Sequence, residues 1–392
     1  MIRSCKVRVY LTKAQESLSL IHFGNVRFVK NWIIEQHRAI FHATKDLRQE
    51  DRSEHFINEF SVNLQLPGLK EQFPFLKASN AQSLQQASKE TVGAFKHFYQ
   101  GKGFPKFRGK HDRQSISYPQ RVKLDLDHHK ISLPKFGYVK YRGEITMEDG
   151  DVVKTTKLIR EPSGKYYVSM VIENEKAYPE LPPVNTNEII GVDSGLLDAF
   201  VTSLGQRIKP PKFFKKSQEK LAKLQRILSK KVRGSNRYNQ IKLKIARLHE
   251  HIRYQREYWQ HQVANKLVHD NQGTCWEDLK ISNMMKNHCL AKAIQDVGWY
   301  GVKTKTRYKS KNLGKHFFEC NPRDPTSKMC FCGHKQELTL GDRSWICEQC
   351  HVLHDRDIHA ANMIKFFALK KAHVMCPYMT TDADVSVLVQ SS

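Results

Sequence analysis

No run of 18 or more apolar residues occurs in the chain, and its start, Met1-Ile2-Arg3-Ser4-Cys5-Lys6, lacks an apolar h-region. These absences argue against a membrane span and against export through a signal peptide. Internal repeats and long low-complexity segments are also missing, and 392 residues are enough to bury several cores. Acid is in short supply: 39 Asp+Glu face 65 Lys+Arg, a formal charge of +26, although the charged fraction of 27% is ordinary. A surface this positive needs a polyanion, and nucleic acid fits that role better than an anionic membrane. The nine cysteines are odd in number and mostly gathered in one short stretch. That pattern suits a reduced compartment and a metal site rather than a disulfide framework.

The residues that are present divide the chain. CKVRVYLT (5–12) alternates Val7, Val9 and Leu11 with polar neighbours and reads as a strand. Thr12 stands three before Gln15, the spacing of a capping box. Two helical stretches separated near Gly24 are expected next, then a helix from about Asn80 to Tyr99. Residues 12–100 thus form a small helical domain. GKGFPKFRGKHDR, with Lys106 and Arg108, is basic and turn-rich, and it is followed by short strands near 122–125, 130–133 and 137–143. A hairpin over 152–174 turns at Pro162-Ser163-Gly164. The first strand has no nearby partner, so it is expected to join this sheet with the helical domain inserted between. PELPPVNTN (179–187) reads as a linker.

Residues 188–209 read as a three-stranded meander with tight turns at Ser194-Gly195 and Leu204-Gly205. Arg207 to Glu257 holds 17 Lys/Arg against 3 acidic residues, with helical periodicity broken at Gly234-Ser235-Asn236. A charge run is commonly a solvated face. Here the scarcity of acidic partners favours nucleic-acid contact by a basic helical hairpin, with Lys230, Lys231 and Arg233 at its turn.

Three acids stand where chemistry is plausible, though each has a bland reading. Asp193 closes an apolar strand and is also a suitable turn former; Glu277 ends the apolar TCW segment; Asp355 and Asp357 precede an Ala-containing helix and either suits an N-cap. Taken together, two strand-end acids and one helix-start acid can hold two divalent cations roughly 3.5–4 Å apart for phosphodiester hydrolysis. Ala360 and Ala361 would let that helix lie close to the sheet. The cysteines are sharper. Cys330 and Cys332 are separated by 14 residues from the pair Cys347 and Cys350, as two knuckles on one tetrahedral Zn²⁺. The first knuckle is one residue short, leaving Cys320, His334, His351 and His354 as substitute ligands. Cys5, Cys275, Cys289 and Cys376 are read as structural or incidental.

IIGVDSGLLDAFVTSLG, WEDLKISNMMKN and TSKMCFCG…DRSWICEQCHVLHDRDIHAANMI, in that order, resemble the split RuvC motifs and zinc ribbon of the TnpB family, insertion-sequence RNA-guided nucleases often called transposases. KVRVYLTKAQ, GFPKFRGK and ISLPKFGYVKY extend the resemblance over roughly residues 5–366. It implies a multidomain α/β plus β-barrel chain: an RNase H-like (RuvC) nuclease domain with zinc ribbon, a β-barrel wedge domain and an inserted helical recognition domain. The implied bounds are 1–12 and 101–180 for the wedge, 13–100 for recognition, 181–322 and 353–370 for the nuclease, and 323–352 for the ribbon. The tail 371–392 carries no readable motif and is expected to be disordered. The resemblance places the catalytic, Mg²⁺- or Mn²⁺-binding acids on Asp193, Glu277 and Asp357, and the zinc ligands on Cys330, Cys332, Cys347 and Cys350. His359 and Met363 stand where the family usually has asparagines. The implied partners are guide RNA from the transposon end and target double-stranded DNA, with Gln82 and Gln85 on a DNA-facing segment. The implied setting is the cytoplasm of a prokaryotic cell, associated with the nucleoid. The competing reading is a binding protein of the same kind that no longer cuts or that regulates transposition; a direct strand transposase ranks third.

Overall fold

The computed structural model describes residues 1–48, 51, 55, 57–339 and 341–374. It divides into two compact units, Met1–Lys176 and Ala177–Ser392. Cys376 and the tail beyond 374 lie outside the described residues. No described helix is long and apolar enough to cross a membrane.

The first unit is built on β1 (Ile2–Tyr10), from which α1 (Lys13–Ala43), α2 (Glu59–Gln72) and α3 (Ala81–Tyr99) lead to β2 (Gln114–Tyr118). The strands β3 (Lys123–Asp125), β4 (Lys130–Leu133), β5 (Gly137–Arg142), β6 (Val152–Arg160) and β7 (Tyr166–Glu173) complete the unit. The seven strands lie in the order β2-β6-β7-β1-β5-β4-β3, all pairs antiparallel. The expected partner of the first strand is thus the hairpin β6–β7, with Val7 and Val9 buried in the core. Among the described residues the edge strands β2 and β3 do not pair with each other, so the sheet is an open half-barrel rather than a closed barrel.

The Thr12–Gln15 capping box is formed in both directions, and the Gln15 amide also donates to the carbonyls of Phe136 and Tyr138 at 3.0 Å. One helix, not two, follows. Val26, Val29, Ile33 and His37 continue the buried stripe begun by Ser19, His22 and Phe23, so packing carries α1 straight through Gly24. Across the unit, Glu90 of α3 joins Lys30 of α1 at 2.6 Å, Lys157 of β6 at 2.7 Å and the Ser117 hydroxyl of β2 at 2.8 Å. Burial alone would raise the Glu90 carboxyl; the two ammonium groups and the hydroxyl outweigh it and hold it at about 2.

The second unit carries a mixed sheet of β8 (Ile189–Asp193), β9 (Phe200–Thr202), β10 (Arg207–Ile208), β11 (Gly273–Trp276) and β12 (His316–Glu319), ordered β10-β9-β8-β11-β12. β10, β9 and β8 pair antiparallel, whereas β8, β11 and β12 run parallel. The link from β8 to β9 spans 194–199, longer than the tight turn expected at Ser194-Gly195. The basic hairpin is present as α4 (Phe213–Ser229) and α5 (Asn236–His269), the latter capped by Ser235. α6 (Ile281–Met284), α7 (His288–Val297) and α8 (Trp299–Asn312) precede β12. A two-stranded ribbon, β13 (Ser344–Ile346) and β14 (Leu353–Asp355), leads into α9 (Arg356–Lys371).

Both faces of the sheet are covered, as the buried β8 requires. Ile190, Val192 and Trp276 pack with Val263 and Leu267 of α5 and Val302 of α8. Ile189 and Cys275 pack with Ile364, Ala368 and Leu369 of α9. The closest approach is at Gly191, where a Cβ would lie 1.8 Å from the Ala361 carbonyl oxygen. Only glycine admits the helix backbone there, and the small Ala360 and Ala361 serve the same approach.

Candidate functional site

Strand periodicity sets the site. Val192 lies opposite Trp276 in the parallel pair β8–β11, so Asp193 and Glu277 follow at the same end of adjacent strands. Counting by twos, Asp193 shares the face of Gly191, and Glu277 that of Cys275, which is the face covered by α9. Ala361 rests on Gly191, and Asp357 stands one helical turn before it, toward the same end. The three acids that sequence reasoning singled out are therefore neighbours. Burial, with the charges of Glu277 and Asp357, pushes Asp193 up to about 7. Burial also raises Glu277, opposed by the Lys303 ammonium. Hard carboxylate oxygens in a charge-strained cluster of this kind suit a divalent cation of the Mg²⁺ class. Among the described residues, however, only four cysteines bring three or more ligand atoms within 4.8 Å of one another; the carboxylates are set more widely.

Asp355 does the capping: its Oδ1 accepts from the backbone N–H of Asp357 at 3.1 Å and of Ile358 at 3.0 Å. Its Oδ2 accepts from Arg207 Nη2 at 2.7 Å, while Arg207 Nη1 donates to Asp198 and Asp357 at 3.1 Å each. Arg207, counted in the sequence with the basic stretch, thus faces acids. Lys303 of α8 was also missed: its ammonium donates to the Glu277 carbonyl at 2.7 Å and pairs with Glu319 at 2.7 Å. It lines a small cavity beside Glu277 with Trp299, Tyr300 and Arg307. Neither residue belongs to a local motif; only the fold brings its charge to the acids.

The sulfurs of Cys330, Cys332, Cys347 and Cys350 all lie within 4.8 Å of one another. Cys330–Cys350 and Cys332–Cys347 are each 3.6 Å apart. Tetrahedral zinc with Zn–S bonds of about 2.3 Å separates sulfurs by about 3.8 Å, so this donor set fits. Burial pushes Cys347 up, but hydrogen bonds to the backbone of Cys350 and Gln349, with those to Cys350 and Cys332, bring it down to about 7. Both sulfurs of the short first knuckle, Cys330 and Cys332, lie within that set. Of the substitutes, Cys320 is buried among Ile189 and Ile364, His334 pairs with Glu348, and exposed His351 adopts positive φ. His354 lies beside the set, with Nε2 3.3 Å from Cys330 Sγ. His359 packs on His354 and Trp345 and bonds the Met329 carbonyl at 2.8 Å, so it ties α9 to the ribbon. Met363 is fully buried in the same helix.

The other candidates are dispersed. Gln82 and Gln85 lie on α3, Gln82 half-buried with its amide on Gln120 at 3.1 Å and Gln85 exposed. Lys106 and Arg108 are exposed in an irregular segment whose backbone Asn31 pins to α1. Lys230 and Arg233 are exposed and Lys231 is half-buried at the turn between α4 and α5.

A mixed sheet with acids at the end of its parallel strands, continued into a four-cysteine ribbon, defines the class structurally. The chain matches a family model described as "Probable transposase" (OrfB_IS605) over residues 169–288, a "Cas12f1-like, TNB domain" over 299–364, and a "Helix-turn-helix domain" over 1–46. The last span holds β1 and the uninterrupted α1. The chain is 32% identical over 307 residues to the Escherichia coli (strain K12) protein named "Putative RNA-guided DNA endonuclease InsQ", covering 74% of this chain and 75% of that one. It is 28% identical over 366 residues to a Streptomyces pristinaespiralis "Putative RNA-guided DNA endonuclease", covering 92% and 88%. In fold it is similar to the chain in "Cryo-EM structure of the Cas12f1-sgRNA-target DNA complex", with a TM-score of 0.55 at 13% identity over 93% of this chain and 98% of that one. The chain belongs to the TnpB family of IS605-type OrfB proteins.

Proposed function

We propose that the chain is an RNA-guided DNA endonuclease of a transposable element that cuts double-stranded DNA next to a short flanking motif. The observation that carries this reading is the meeting of Asp193, Glu277 and Asp357 at one end of the sheet. Divalent cations held there, two Mg²⁺ or Mn²⁺, would supply an activated water and neutralise the leaving oxygen. The chain's own groups fix the geometry: β8 and β11 set the first two carboxylates side by side, and the Gly191–Ala361 contact sets the third. Lys303 anchors the Glu277 main chain.

In this reading residues 181–322 and 353–370 are the RuvC-like nuclease domain and 323–352 is its ribbon, with zinc on the four cysteines. Residues 1–12 and 101–180 are the wedge and 13–100 the recognition domain. Guide RNA pairs with the target, while Lys230, Lys231, Arg233, Lys106 and Arg108 serve as phosphate contacts and Gln82 and Gln85 read the flanking DNA.

Asp193→Ala tests the reading against wild type, with cleavage and guide-directed binding measured on one DNA at fixed salt. The variant should stop cutting yet bind nearly as well, since affinity comes from base pairing and Lys/Arg contacts. Asp355→Ala should lose less, because that acid caps α9. Wild type that binds its target but never cuts it in Mg²⁺ or Mn²⁺ would hand the case to the non-cutting binding protein.

A further inference from the structure

Arg207 touches three carboxylates, and two of them have further hydrogen-bonding or ionic partners close by. Asp198 also has Lys209 at 2.7 Å, and Asp355 gives its other oxygen to the start of α9. Asp357 is different. Its Oδ2 accepts from Arg207 at 3.1 Å and its Oδ1 is 3.9 Å from Arg343 Nη1. One oxygen of a proposed metal ligand is therefore bonded to a guanidinium, and the other has a second guanidinium within 4 Å. A dication shared with Asp193 and Glu277 must take at least one of those oxygens and meets the repulsion of a fixed positive charge close by. The Arg207 side chain is 34% exposed, so an anion in solvent can reach it without unfolding the site.

We propose that Arg207 is a positioning residue that holds Asp357 in reserve, competing with the divalent cation until a DNA phosphodiester draws the guanidinium away. The inference rests on the nuclease reading above. It makes metal loading depend on substrate: without DNA the arginine occupies Asp357, and with DNA the phosphate accepts from Arg207 while the carboxylate turns to the cation. Asp198 and Asp355 keep the guanidinium within reach during the exchange. Arginine suits this role because its planar fork can serve two acceptors at once and keeps its charge at any working pH.

The test is a Mn²⁺ titration followed by electron paramagnetic resonance on the full protein–RNA complex. The Asp193→Ala complex serves as background for ions held by RNA. Each protein is measured alone and with target DNA. Arg207→Gln should bind the Asp193-dependent Mn²⁺ about ten-fold more tightly than wild type without DNA. It should also gain less affinity when DNA is added. Asp198→Asn removes one of the arginine's other anions, presses it onto Asp357, and should shift the affinity the opposite way; this sign reversal keeps the test decisive if Arg207→Gln folds poorly. Equal or weaker Mn²⁺ binding by well-folded Arg207→Gln, or tighter binding by Asp198→Asn, overturns the inference alone. Absence of any Asp193-dependent Mn²⁺ from wild type and variants with DNA present overturns it together with the nuclease reading.

Discussion

Gly191→Ala is the substitution that most directly couples the fold to the proposed chemistry. The new Cβ would stand 1.8 Å from the Ala361 carbonyl oxygen, 2.8 Å from its carbonyl carbon and 3.1 Å from Lys365 Cβ. An ordinary C···O approach is about 3.3 Å, so α9 must retreat by roughly 1.5 Å. Overpacking of this kind costs about 1–3 kcal/mol, which a chain of this size tolerates. The site tolerates it less. Asp357 rides on the displaced helix while Asp193 and Glu277 stay on the sheet, and a misplacement near 1 Å can cost about 100-fold in rate. Single-turnover cleavage by the RNA-loaded variant should therefore fall by about 100-fold or more, while binding of target and of RNA stays near wild type. A variant that cuts within three-fold of wild type would show that the α9–β8 distance does not set the geometry of the acids.

Other expectations concern the two units separately. Glu90→Gln should destabilise the first unit by roughly 2–3 kcal/mol at neutral pH, read from chemical denaturation. Because the folded carboxyl sits at about 2 against an ordinary 4.5, its contribution is fully present above pH 4.5 and is lost as pH falls toward 2. The gap between wild type and variant should close over that window. Gly24→Ala meets open space apart from Arg27 at 4.0 Å and should stabilise α1 by about 1 kcal/mol, seen as a higher melting temperature. Cys347→Ser should lower bound zinc from about one equivalent per chain, measured by elemental analysis. If Cys332→Ser leaves zinc content unchanged, the short knuckle uses another ligand.

Sequence patterns were most informative where a local rule and the tertiary fold agree. Alternation in 5–12 marked β1, the Thr12–Gln15 spacing marked the start of α1, and Gly234-Ser235-Asn236 marked the turn between α4 and α5. Gly24 misled, since a local helix penalty near 1 kcal/mol is small beside the buried stripe from Ser19 to His37. α8 was invisible because much of its buried face is polar: Val302 is followed at four-residue spacing by Thr306 and Ser310. The acids were individually ambiguous, and strand register removed the ambiguity by putting Asp193 and Glu277 on one face. Arg207 and Lys303 carried no signal, because a cation in a cationic stretch looks the same whether it meets a phosphate or a carboxylate.

The way α9 begins has a consequence for how this protein can be assayed. Asp355 is at once the last residue of the ribbon strand, paired with Ser344, and the cap of the helix that presents Asp357. Arg356 adds bonds from its guanidinium to the carbonyls of Thr339 and Asp342, and from its backbone N–H to that of Arg343. The cysteine cluster and the acid cluster thus share one short length of backbone. With zinc on the cysteines and divalent cations on the acids, as proposed, a chelator strong enough to strip the cysteines would unseat Asp357 as well as remove ions from the carboxylates. Loss of cutting in such a reagent identifies neither site. Re-adding Mg²⁺ alone after a mild and after a strong chelator separates them: recovery after the first and not the second would assign the irreversible component to the ribbon.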